Sequence, residues 1–168
     1  GARTSYFHHS LGGYHGAKLG KYQDIIDMHL VKGNLDVMNM LNTKYFILQD
    51  EQNNTTVQQN PGALGNAWSI DNIKWVDNAN EAILSLNNFN PENTAIIERK
   101  YESYINSAIN YTNTSSISLI HYAPNKLVYN VDSKGTSFMV FSEIFYSKGW
   151  QATIDGQYVK HFPVNYIL

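Results

Sequence analysis

Cysteine is missing from all 168 residues. That excludes disulfides, thiolate nucleophiles and cysteine-ligated zinc together. Long hydrophobic runs are missing too. No apolar stretch approaches the ~18 residues of a membrane span, and no signal-peptide pattern is read. Taken alone, the chain is expected to be water-soluble. Basic clusters are the third absence. The net charge is −2 and the 12 Lys and Arg are scattered. Nucleic-acid binding needs a basic patch to replace phosphate counterions, so it is excluded as a function class. An anionic membrane surface is disfavoured for the same reason.

Catalytic signatures are scarce as well. Gly12, Gly13, Gly16 and Gly20 lack the Gly-Lys-Ser/Thr entry of a phosphate-cradling loop. No Gly-x-Ser-x-Gly elbow occurs. Carboxylates are few, and no linear pattern sets two of them across a cleft for glycoside hydrolysis. Glu143 interrupts an apolar run beside Ser142. Period-two alternation favours an outward, solvated side chain there.

What is present suits one domain, or one domain with a small annex, with 43% apolar and 13% aromatic residues. Twelve Tyr outnumber seven Phe and three Trp together, and Tyr suits half-buried sheets and ligand surfaces alike. Leu19, Tyr22, Ile26 and Leu30 recur at helical steps. They predict a helix over residues 18–31, ended by Gly33. Asn34 caps a second short helix carrying Leu35, Met38 and Leu41. Tyr45 to Leu48 reads as a buried strand and the polar stretch 50–60 as a mobile loop. Ala67 to Val76 reads as one long or bulged strand. Asp77 or Asn78, with Glu81, caps a helix bearing Ala82, Ile83 and Leu86. Thr94 to Glu98 is a short strand.

From Ser116 onward short alternating strands follow closely. They include a long run over 136–146 and a tight hairpin at Asp155-Gly156. The predicted fold class is α+β. An N-terminal helical pair with a mixed α/β segment (1–98) leads through a connecting segment (99–116) to an antiparallel β-sandwich or meander (117–168). Residues 164–168 look like a strand, which suggests that more chain follows.

His8, His9 and His15 are candidates for metal or acid–base work, but their spacing matches no metal motif, so no metal and no cofactor are assigned. A folded loop whose His rings hydrogen-bond to irregular backbone is the favoured reading. Tyr6, His8, His9, Tyr14, His15 and Trp68 are the candidate ligand-binding residues. For Trp75 and Trp150 a core position is expected.

Four stretches carry a resemblance. They are Ala2 through Lys18 (Ala-Arg-Thr-Ser-Tyr-Phe-His-His-Ser-Leu-Gly-Gly-Tyr-His-Gly-Ala-Lys), Asn39 through Tyr45, Asn60 through Trp68, and Trp150 through Tyr166 with Ile154-Asp155-Gly156. In order and spacing the chain resembles the C-terminal extracytoplasmic region of the YfhO-like bacterial membrane proteins, in the form typical of Bacteroidetes. The resemblance implies many membrane helices ahead of this region and a likeness to lipid-linked-sugar glycosyltransferases of the GT-C architecture. It also implies a place on the periplasmic face of the inner membrane. The implied partners are the membrane-embedded remainder of the protein and an envelope glycan or sugar polymer. In such enzymes the catalytic carboxylate sits on an outer loop between early membrane helices, so no catalytic residue carries over. The family continues past the equivalent of Tyr166. Many relatives have Pro-Arg where this chain has Gly65-Asn66. The expected function is that of a non-catalytic outer domain, serving in acceptor binding or packing on the membrane part. The alternatives are a carbohydrate-binding module and a stand-alone hydrolase or metal enzyme.

Overall fold

A computed structural model describes residues 9–12, 18–105 and 116–168. The fold is α+β, with short helices and ten strands among these residues. Helix α1 (Gly20–Ile25) widens into a π-helical turn, Ile26–Leu30, in which the Val31 N–H reaches back to the Ile26 carbonyl. The buried stripe lies one residue away from the one the sequence pattern marks. The sequence pattern centres it on Tyr22, Ile26 and Leu30, but the fully buried residues are Ile25 and His29. Gly33 stops the segment at φ +71°, a conformation that costs a Cβ-bearing residue about 1–2 kcal/mol. Asn34 then accepts the Val37 N–H and caps α2 (Leu35–Met40). This helix buries Val37 and Met40 and leaves Leu35 exposed.

Strand β1 (Tyr45–Gln49) corrects the expectation of a buried strand. It pairs antiparallel with β2 (Thr55–Gln59), inside the stretch expected to be a loop. The Asp50 side chain builds the turn by accepting from the Gln52 and Asn54 backbone and from the Asn54 amide. Asn53 takes φ +62° there. Polar Thr and Gln can form this strand because both faces stay wet.

The predicted strand over 67–76 is two strands broken at Asp71. β3 (Ala67–Ile70) joins a different sheet from β4 (Asn72–Val76). Asn78 and Glu81 form the expected capping box, with Asn78 Oδ1 taking the Glu81 N–H and Glu81 Oε2 taking the Asp77 N–H. They start α3 (Ala79–Ser85). β5 (Thr94–Glu98) lies parallel to β4, and its Ala95, Ile96 and Ile97 are buried. A continuous apolar run is what a parallel strand covered on its faces requires.

After a 3₁₀ turn (Arg99–Tyr104) come the β6 (Ser116–Ala123) and β7 (Lys126–Asp132) hairpin, β8 (Phe138–Phe141), and the β9 (Ala152–Ile154) and β10 (Gln157–Val159) hairpin. The long run over 136–146 is therefore only a four-residue strand. β8 pairs back on β3, and Trp68 faces Val140 in the register. Asp155 and Gly156 have φ +50° and +79°, the positive pair that a two-residue hairpin turn demands. Each sheet has two strands. Among the described residues the pairings are three hairpins, one parallel pair and the long-range antiparallel β3–β8 pair, and they do not by themselves establish a sandwich.

Residues 164–168 form a tight turn rather than a strand. Val164 and Leu168 exchange backbone hydrogen bonds, and Val164, Ile167 and Leu168 enter the same core as Ile25, Met40, Leu86 and Ile97. The turn is pinned by Asn165, which is fully buried at φ +49°. Its N–H donates to the Ile96 carbonyl and its Oδ1 accepts the Ile96 N–H, both at 2.8 Å. One residue thus supplies the neighbour that β5 lacks on its free edge. Tyr166 fixes the turn to α1, donating from its hydroxyl to Asp24 at 2.6 Å while Lys21 donates to its carbonyl.

Candidate functional site

Two places collect the chemistry-bearing residues. The first is a cleft of about 430 Å³ lined by Pro61, Gly62, Ala63, Leu64, Trp68, Ser69 and Glu92. Its wall from 61 to 64 is held by an asparagine knot. Asn60 Nδ2 donates to Asn39 Oδ1 at 2.9 Å and to the Thr43 carbonyl at 2.8 Å. Asn60 Oδ1 accepts the Gly62 N–H, and the Leu64 N–H donates to the Asn39 carbonyl. A Cβ on Gly62 would stand 2.9–3.1 Å from the Asn39 amide, so that close approach requires glycine. The segments 39–45 and 60–68 are therefore one hydrogen-bonded unit.

Trp68 lines this cleft but is only 9% exposed. Its indole N–H donates to the Pro91 carbonyl at 2.8 Å. It is a wall with its polar atom spent, not an open face for stacking a sugar ring. Trp75 packs half-buried against the core, and Trp150 is half-buried.

The second place lies on one face of the β6–β7 hairpin. A bulge between Leu119 and His121 shifts the register, so that Tyr122 faces Leu127 and His121 faces Val128. The shift puts Tyr122 on the face that carries Tyr129, and sends His121 to the other. Simple alternation assigns them the reverse. His9 meets Tyr122 edge-on with ring centroids 6.1 Å apart, and Tyr129 meets Phe141 at 5.0 Å. Glu143, two residues beyond Phe141, follows β8 in irregular chain and is half-buried rather than solvated. Desolvation raises its carboxyl above the ordinary value, against the pull of His9. The Tyr129 hydroxyl is buried without a hydrogen-bond partner among the described residues. Burial, then the charges of Glu143 and Tyr122, push it up to about 12.

Of the residues singled out in the sequence, His9 joins this second cluster and Trp68 the first. Tyr6, His8, Tyr14 and His15 lie outside the described residues. Among the described residues no three His, Asp or Glu side chains converge as metal ligands do. Tyr122, Tyr129 and Glu143 are additions from the structure. Only the interruption of an apolar run by Glu143 was visible beforehand.

The raised Glu143 carboxyl makes a prediction. A carboxyl whose folded pKa lies above its ordinary ~4.3 contributes stability below that value and loses it as pH rises through the folded pKa. At neutral pH its ionised form therefore opposes folding. Glu143→Gln is expected to raise the urea midpoint at pH 7.5, with the gain closing toward pH 4. A variant less stable than wild type at pH 7.5 would show that the carboxylate is favourably solvated.

Comparison of the chain with protein-family models, with curated proteins and with solved structures yields no match.

Proposed function

We propose that this chain is a non-catalytic extracytoplasmic domain of a polytopic bacterial membrane protein resembling lipid-linked-sugar glycosyltransferases. In this reading it packs on the membrane-embedded remainder of the same polypeptide, and the cleft walled by 61–64 holds a glycan acceptor. The four-segment resemblance motivates the reading, and the β1–β2 hairpin is the observation that carries it. Tyr45, Ile47, Leu48 and Val57 are 59%, 52%, 47% and 65% exposed. Ile47 and Val57 face each other in the register. An isolated two-stranded hairpin is marginal in water, and contiguous exposed apolar side chains mark contact surfaces. A further protein body seated on this hairpin explains both.

The test uses the absence of cysteine. Ile47→Cys and Val57→Cys, with Gln52→Cys at the turn as reference, are placed in the isolated chain and in the full reading frame in membranes. Maleimide labelling at 47 and 57 is expected to fall in the full protein relative to 52. Equal labelling in both settings, or a reading frame without hydrophobic spans, would overturn the proposal.

A further inference from the structure

His29 is a buried titratable group that none of the chemistry above uses. Its ring is fully buried. Nε2 lies 3.0 Å from the Ile83 carbonyl on α3, which only accepts, so Nε2 carries the proton. Nδ1 lies 3.1 Å from Asn34 Nδ2, which only donates, so Nδ1 accepts. The Asn34 amide has no freedom to reverse these roles. Its Oδ1 takes the Val37 N–H as the cap of α2, and its Nδ2 also donates to the Leu86 carbonyl at 3.0 Å. Every partner therefore specifies a neutral imidazole of one tautomer.

A proton on Nδ1 sets two donors against each other. Turning the Asn34 amide over would relieve that contact, but it would surrender both the α2 cap and the bond to Leu86. The damage would run along α2. Its far end carries Asn39, which holds Asn60 and Leu64, and Met40, whose carbonyl accepts from Ser142 Oγ at 2.8 Å. We propose that the His29–Asn34 pair is a proton-sensitive latch: acid loosens α2 and, through it, the 60–64 wall of the cleft.

The surrounding charges fit this direction. Asp27 and Lys32 belong to the segment that carries His29, Asp36 to α2 and Glu81 to α3. Glu81 is engaged in the α3 cap and Asp36 is exposed. Burial first, and the Lys32 charge beside it, lower the imidazole pKa, against the contrary pull of the Ile83 hydrogen bond. A base whose folded pKa is lowered contributes its full stability above the ordinary ~6.5. That contribution is lost as pH falls from there toward the folded value. The latch stands on the hydrogen-bond pattern and does not depend on the proposed membrane partner.

Amide hydrogen exchange, corrected for its intrinsic pH dependence, tests it. Between pH 7.5 and 5.0 the Val37 and Leu64 amides are expected to exchange several-fold faster. The amides of β6 and β7 should hold their rates. His29→Gln keeps an amide donor for the Ile83 carbonyl and does not titrate, so it should abolish the acid response. A uniform response, no response, or the same response in His29→Gln would overturn the latch. If the variant does not fold, imidazole ¹⁵N shifts of the wild-type chain decide. The neutral Nε2–H tautomer at pH 6.5 supports the latch, and an imidazolium or the Nδ1–H form there refutes it.

Discussion

Replacing Asn165 by Ala is expected to destabilise the fold by about 2–4 kcal/mol. The substitution strands the buried Ile96 N–H, a loss of about 1–3 kcal/mol. It also puts a residue less tolerant of positive φ than Asn at +49°, adding about 1 kcal/mol. Part of this is offset, because Asn165 Nδ2 is itself buried without a hydrogen-bond partner among the described residues. Asn165→Gly relieves the backbone strain but not the orphaned N–H, so it should recover only about 1 kcal/mol of the loss. Asn165→Asp keeps the acceptor and buries a charge, which is also unfavourable. Urea midpoints of the three variants check this order. An Ala variant within about 0.5 kcal/mol of wild type, the range of an ordinary surface substitution, would mean that water or another group satisfies Ile96 equally well.

Trp68→Ala is expected to cost more, about 3–5 kcal/mol, as deletion of a buried ring does. Trp68→Phe keeps most of the volume and forfeits the hydrogen bond to Pro91, for about 1–3 kcal/mol. The two variants separate a structural ring from a ligand-facing one. A tryptophan that served only to stack a sugar would be exposed, and its loss would leave the midpoint nearly unchanged. If Trp68→Ala unfolds at wild-type urea concentrations, the indole is not the packed wall of the cleft that its 9% exposure indicates.

Local chemistry was legible and distant pairing was not. The Asn78–Glu81 box, the stop at Gly33, the Asn34 cap and the Asp155-Gly156 hairpin each depend on a few adjacent residues, and each forms as the sequence predicts. β5 was readable because a fully covered strand needs an unbroken apolar run. The 50–60 stretch misled because its turn is built by one side chain, Asp50, and its strand has no buried face to impose alternation. The break at Asp71 was hidden because β3 and β4 have the same character and differ only in partner, β8 for one and β5 for the other. At the candidate sites, Trp68 and His9 were visible as residue types. The bulge that turns Tyr122 toward Tyr129, and the chain path that half-buries Glu143, depend on register and tertiary packing. So does the Asn39–Asn60 knot, although an Asn-Pro-Gly sequence is itself a turn signal.

The clasp at Asn165 has a kinetic side. β4, α3 and β5 are consecutive, so their parallel unit closes over short loops, whereas Asn165 must find Ile96 across 69 residues of chain. Contacts that close last are absent from the transition state, and their removal accelerates unfolding while leaving the folding rate almost untouched. This small turn is therefore expected to act as a brake on opening, lengthening the lifetime of the native state without helping the chain to reach it.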